Sequence, residues 1–326
     1  MTTRKFTPHP LIPQGYAQTF FAAVSPPLSS VKPSVTEWVG LSDGDELRLD
    51  IHQPAVDDPV KPLILLLHGS GGSGDDALIV RQAQVFSRVG YTTVRFHHRG
   101  CGGGSLERVT SLYHAGRLSD IVETLRYFEK RWPGRRCLVV GYSLSGNMIL
   151  RLLGDAASYP VSTVTAALAI CPPIELETSS RALASWRNRP FDSVLTLRFV
   201  KQAQMVEARK PGSLRRDLPL VLTHRQLDQV YNCKVAGFAD RSDYYDAYSA
   251  KRYLAAINQP VTILTAADDP IIPVSMFKSG MPRNVRLRIE ERGGHCAFIG
   301  SKPTEFGDRR WVSSFVSDWV ASIIRK

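Results

Sequence analysis

The stretch Leu63-Ile-Leu-Leu-Leu67 is apolar at every position. Side chains alternate between the two faces of a strand, so this one has no face that can meet water. It belongs in the middle of a sheet covered on both sides. A helix-like stretch from Ala77 to Val89 follows, then a strand from Tyr91 to Phe96, then a helix in which Leu118, Ile121, Val122, Leu125 and Phe128 recur at helical spacing. Cys137-Leu-Val-Val140 starts the cycle again, with Asn147 to Leu153 helical behind it. Val164 to Ile170, Val261 to Leu264 and Val285 to Ile289 supply further strands. Before this series, Val35 to Leu41 and Glu46 to His52 flank the turn Ser42-Asp43-Gly44-Asp45 and read as an antiparallel hairpin at a sheet edge. After it, Trp311, Phe315, Trp319 and Ile323 stand four apart, a stripe that faces a core. The pattern predicts the α/β class: a mostly parallel central sheet with helices on both faces and the functional site at the carboxyl ends of the strands.

The alternation fails between Pro173 and Asp243, over Arg- and Pro-punctuated amphipathic pieces too long for an ordinary connection. This predicts one domain over residues 1–326 with an inserted lid at 174–243. Trp186, Phe191, Leu195 and Phe199 stand among the lid's arginines and point to an apolar part of a substrate. Arg181, Arg187, Arg189, Arg215 and Arg216 are spaced among acids and apolar positions, as on a solvated face; peripheral attraction to an anionic membrane surface is the lesser reading. Lysine and arginine number 41 against 30 acidic residues, a net charge of +11. That balance favours anionic partners, but without a recognition motif or a concentrated basic run it does not indicate nucleic acid. No run approaches the roughly 20 apolar residues that cross a bilayer. Pro8, Pro10 and Pro13 interrupt what would have to be the apolar core of a signal peptide. Cys101, Cys137, Cys171, Cys233 and Cys296 are odd in number and scattered, with no CxxC pair. They read as reduced thiols in a cytoplasmic protein, and no metal site follows from their spacing.

Chemistry is expected first at Gly141-Tyr142-Ser143-Leu144-Ser145-Gly146, where a strand gives way to a helix. A tight turn there exposes a seryl oxygen at the top of the sheet, and it needs small residues two before and two after the serine. An acid after a late strand and a histidine after the last strand complete the expected order. Asp268 and Asp269 compete for the acid. Asp269, beside the turn Pro270-Ile-Ile-Pro273, is favoured, with Asp268 as the alternative or a loop anchor. His295 lies in Gly293-Gly294-His295-Cys296, after the final strand. In these roles Ser143 is the nucleophile, His295 its base, and the carboxylate fixes the imidazole tautomer. Peptide N–H groups of Ser70 and Leu144 are the expected oxyanion donors.

A rival occupies the same turn. Gly69-Ser-Gly71-Gly-Ser-Gly74 matches the GxGxxG dinucleotide fingerprint. The next strand, however, ends in His97-His98-Arg99 rather than in an acid for a ribose, so only an NADP reading with Arg99 would rescue it. His97 and His98 are adjacent and should point to opposite faces, which argues against a shared metal.

The chain resembles the YheT-like branch of the α/β-hydrolase superfamily, related to mammalian abhydrolase-domain lipases and fungal medium-chain fatty-acid ethyl ester synthase/esterases. The likeness is carried by Phe6-Thr-Pro8 with Ala17-Gln-Thr19, His68-Gly69, Phe96 with Arg99-Gly-Cys101, Tyr113-His114, Gly141-Tyr-Ser-Leu144 with Gly146-Asn147, Gly237-Phe238, Asp243-Tyr-Tyr245, Asp268-Asp-Pro270, and Gly293-Gly-His295 with Phe298-Ile-Gly300. Two departures are Ser145, where the family usually has glycine, and Ala115-Gly-Arg-Leu118, which lacks an acid. The resemblance implies the α/β-hydrolase fold, acyl-ester substrates that include lipids, and triad positions at Ser143, Asp269 and His295. The sequence reading is thus a cofactor-free serine hydrolase of short- to medium-chain carboxylic esters that works through an acyl-enzyme. The alternatives are a non-catalytic small-molecule binder on the same fold, or an NADP-dependent oxidoreductase.

Overall fold

The computed structural model describes residues 4–24, 32–209 and 223–325. Strands β1 (Val35–Gly40), β2 (Glu46–His52), β3 (Leu63–Leu67), β4 (Thr93–Phe96), β5 (Cys137–Tyr142), β6 (Val164–Ile170), β7 (Val261–Ala266) and β8 (Val285–Glu290) form one sheet, ordered β1-β2-β4-β3-β5-β6-β7-β8. The β1–β2 and β2–β4 pairs are antiparallel, and all pairs from β4 through β8 are parallel. The expected hairpin therefore forms the edge. Every residue of β3 and β5 is buried, as their unbroken apolar runs require. Each such Leu, Ile or Val contributes about 1.5–3 kcal/mol by leaving water.

The helices that matter for the site are α1 (Gly15–Val24), α2 (Ala77–Arg88), α3 (Leu118–Arg131), α4 (Leu144–Gly154), α5 (Leu176–Leu183) and α6 (Arg189–Arg209). Helix α1 was not anticipated in the Pro-rich entry. Helix α4 begins at Leu144 rather than Asn147, because the Ser143 carbonyl already accepts from the N–H groups of Gly146 and Asn147. Strand β4 begins at Thr93 because Tyr91 is still held in the preceding turn by its N–H bond to the Phe86 carbonyl. In the C-terminal helix, Trp311–Ile324, the rings of Trp311 and Phe315 stack at 5.2 Å, and the Trp319 indole donates to Thr262. That stripe faces the core, as its spacing predicts.

Between β6 and β7 the chain forms α5, α6 and a helical stretch over residues 224–235 that contains a π turn at Asp228–Asn232. Arg181 pairs with Glu177 at 2.6 Å on a solvated face, and Arg215 and Arg216 lie outside the described residues. No helix among the described residues is long and apolar enough to cross a membrane.

Candidate active site

Ser143 joins β5 to α4 with φ 52° and ψ −122°. A non-glycine residue held there costs about 1–3 kcal/mol, which the surrounding turn must sustain. Its neighbours explain how. A Cβ on Gly141 would stand 2.3 Å from Ile149 and 2.7 Å from the Ser145 carbonyl, so only glycine allows α4 to start this close to β5. Ser145 is accommodated because its hydroxyl has two partners: it donates to the His68 carbonyl and lies 2.7 Å from His98 Nε2.

His295 sits in the loop after β8. Its Nε2 is 2.9 Å from Ser143 Oγ and its Nδ1 2.9 Å from Asp269 Oδ2. The other Asp269 oxygen accepts from the N–H groups of Ile271 and Ile272, at 2.8 and 2.9 Å, which fixes the carboxylate in the turn that follows β7. Asp268 instead accepts from the Gly294 N–H at 3.0 Å. The two aspartates thus divide: Asp269 meets the imidazole and Asp268 ties down the loop that carries it. Burial opposes a charge on His295, but the Asp269 carboxylate and the adjacent Cys296 thiol together outweigh it and raise the imidazole to about 9.

Thr19 was not singled out as a site residue. Its hydroxyl accepts from the His295 N–H at 2.8 Å and donates to the Gly15 carbonyl at 2.7 Å, so α1 holds the histidine loop from outside the sheet. The sequence signal was Ala17-Gln-Thr19, visible only within the family resemblance.

Ser70 and Leu144, the expected oxyanion donors, flank Ser143 on the wall of one cavity. A Cβ on Gly69 would be 3.0 Å from the Ser143 Cβ, so the turn after β3 passes close over the turn that carries Ser143. The turn is pinned from behind. The Gly71 N–H donates to the Tyr113 hydroxyl at 2.7 Å, and the Tyr113 ring stacks on His98 at 4.5 Å. Burial drives His68 down to about 3, so it is neutral at physiological pH. A neutral ring suits its contacts: Nδ1 donates to the Gly69 carbonyl and Nε2 accepts the His98 N–H.

The dinucleotide rival finds no support in this turn. Arg99 is turned inward, paired with Asp45 at 2.7 Å and Asp120 at 2.7 Å, and is committed to the core. Asp75 and Asp76 stand at the N-terminus of α2, where a pyrophosphate would have to sit, and desolvation raises the Asp76 carboxyl to about 6. His97 and His98 do point apart, His97 to Asp50 at 3.1 Å and His98 to Ser145. Asp50, Asp75 and His97 converge closely enough to hold a cation, but Arg48 and Arg95 already supply positive charge to Asp50 at 2.8 and 2.9 Å.

The cavity above Ser143 has a volume of about 780 Å³. Phe20 of α1, Leu176 of α5, Phe191, Leu195 and Phe199 of α6 and Ile272 beside Asp269 make much of it apolar. Trp186, expected among these, is instead 79% exposed. Residues 64–309 match the alpha/beta hydrolase family. The chain belongs to that family. YheT of Escherichia coli (strain K12), named provisionally as an esterase, is 29% identical over 290 residues, covering 87% of this chain and 84% of that one. Medium-chain fatty acid ethyl ester synthase/esterase 2 of Saccharomyces cerevisiae is 26% identical over 265 residues, covering 73% of this chain and 58% of its own. Among solved structures, Est1E of Butyrivibrio proteoclasticus with bound ferulic acid superposes with a TM-score of 0.57 at 15% identity, covering 89% of this chain and 100% of that one. At that identity the likeness bears on the fold alone.

Proposed function

We propose that this alpha/beta hydrolase cleaves carboxylic acyl esters of short to medium chain, lipid esters among them, through an acyl-enzyme on Ser143. The unbroken hydrogen-bonded line Ser143–His295–Asp269 at the floor of a largely apolar cavity carries the reading. Ser143 Oγ attacks the ester carbonyl as His295 Nε2 takes its proton, and Asp269 stabilises the imidazolium. The N–H groups of Leu144 and Ser70 receive the oxyanion. His295 then returns the proton to the departing alkoxide, leaving the acyl group on Ser143. Water, or an alcohol, attacks the acyl-enzyme with His295 again as base, releasing the acid or a new ester. No cofactor enters these steps. The esterase names of the similar proteins agree with this substrate class.

In the same reading, residues 174–243 act as a lid whose inner side receives the acyl chain. Its outer side exposes Trp186 and Leu197 beside the exposed Arg187 and Arg189, a composition suited to an anionic lipid surface. Labelling with a fluorophosphonate probe tests the nucleophile: wild type should label and Ser143→Ala should not. No labelling of either would favour a non-catalytic binder, to be pursued by ligand-induced thermal stabilisation.

A further inference from the structure

Behind the candidate base lie two thiols. We infer that Cys171, Cys296 and His295 form a capture site for a thiophilic divalent cation such as Zn²⁺, and that filling it silences Ser143. The two sulfurs and a ring nitrogen of His295 all lie within 4.8 Å of one another. Tetrahedral zinc with S and N ligands holds its donors roughly 3.5–4 Å apart, so a small contraction brings the three donors into place, with a water from the cavity as the fourth ligand.

The backbone is built to present these sulfurs. Among the described residues, positive φ at non-glycine positions occurs at Ser143, Cys171, Cys296 and Phe298. Cys171 (φ 47°) follows β6 and Cys296 (φ 59°) follows His295, so two strained turns from distant parts of the chain bring the thiols face to face. The Cys296 N–H already points at Cys171 Sγ, at 3.4 Å. Cys296 and His295 both line the cavity, which gives an ion its entry path, while Cys171 closes the site from the buried side.

Binding forms two metal–sulfur bonds and one metal–nitrogen bond, releases both thiol protons and, where His295 is protonated, one imidazolium proton to water, and changes no oxidation state. The two thiolates neutralise the divalent charge. Each ring nitrogen of His295 is already engaged, Nε2 by Ser143 and Nδ1 by Asp269. Ligation through either breaks the line. The inhibitory part of this inference rests on the proposed hydrolase reading; the binding part does not.

Cd²⁺ alone, titrated into metal-free protein, reports binding through its ultraviolet thiolate-to-metal charge-transfer absorption. The expected result is saturation at one equivalent, a weakened band in Cys171→Ser and in Cys296→Ser, and none in the double variant. Metal-free melting curves of each variant verify its fold. Absence of the band in wild type, or its full retention in the double variant, overturns the site. In a second arm, Zn²⁺ should suppress ester hydrolysis reversibly by chelator, and each single variant should require more than roughly tenfold higher Zn²⁺ relative to its own metal-free rate. Equal sensitivity of the double variant overturns the switch. A protein that binds Cd²⁺ through these thiols yet hydrolyses no ester would refute the hydrolase reading while leaving the metal site standing.

Discussion

His98 Nε2 lies 2.7 Å from the hydroxyl of Ser145, which itself donates to the backbone carbonyl of His68. The residue that departs from the family glycine is therefore a bolt between the helix after the nucleophile and the turn that passes over it. All three side chains are buried. Ser145→Ala would leave the His98 ring N–H and the His68 carbonyl without this partner. A buried polar group stripped of its bond costs about 1–3 kcal/mol. Thermal unfolding should show a loss of that order, and an unchanged melting temperature would mean that the bolt carries no load.

Asp269→Asn should lower kcat by about 10³–10⁴-fold, because an amide neither stabilises the imidazolium nor selects the productive tautomer. Asp268→Asn keeps an oxygen able to accept the Gly294 N–H and should stay within about tenfold of wild type. Steady-state kinetics on a chromogenic ester compares them, and the reverse ranking would transfer the acid role to Asp268.

His295 accepts a proton only when neutral, and with its imidazole raised to about 9 it is largely protonated at neutral pH. The expected kcat/KM climbs about tenfold per pH unit through the mildly acidic and neutral range and levels near about 9. Asp269→Asn should move this limb to lower pH while lowering the plateau. The stability linkage has the opposite direction. A raised folded-state value favours the folded protein fully below the ordinary histidine value of about 6.5, and the contribution is lost as pH rises through about 9. A kcat/KM that is flat from mild acid to pH 9 would remove His295 from the base role.

His52, His68 and His114 are buried, and desolvation lowers them to about 4, 3 and 3. Unfolding lets each take up a proton below about 6.5, so stability is intact above that pH and declines as the solution is acidified toward the folded values. Each costs about 1.4 kcal/mol per pH unit in that window. Melting temperature measured from pH 7 to pH 4 should fall steeply, and each of His52→Gln and His114→Gln should make the fall shallower.

Arg99→Met should destabilise by about 3–5 kcal/mol, since it leaves the buried Asp45 and Asp120 carboxylates without their cation. NADPH should not shift the melting temperature of the wild-type protein. A shift of several degrees would reopen the dinucleotide reading.

The sheet was legible because β3, β5 and β6 are too apolar to be anything but central, and the order Ser143, Asp269, His295 followed from where strands end. What escaped was relational. Thr19 reaches His295 across 276 positions and Cys171 reaches Cys296 across 125, and no local pattern encodes either meeting. The cysteine spacing gave no metal motif for the same reason. Arg99 was the one residue that could have rescued the dinucleotide rival, because a strand-end arginine reads alike whether it faces out or, as here, joins the buried Asp45 and Asp120 and the partly exposed Asp43. Ser145 looked like an imperfection until its two partners were in view.

Helix α1 lies outside the span 64–309 that matches the family, yet it grips the loop of the candidate base. A fragment cut at those limits would keep the serine and both candidate partners in its sequence while losing Thr19, the edge hairpin and the whole C-terminal helix. Such a piece would still look complete to a motif search and would be expected to fail as an enzyme. The span that matches the family and the span that holds the candidate base in place have different borders.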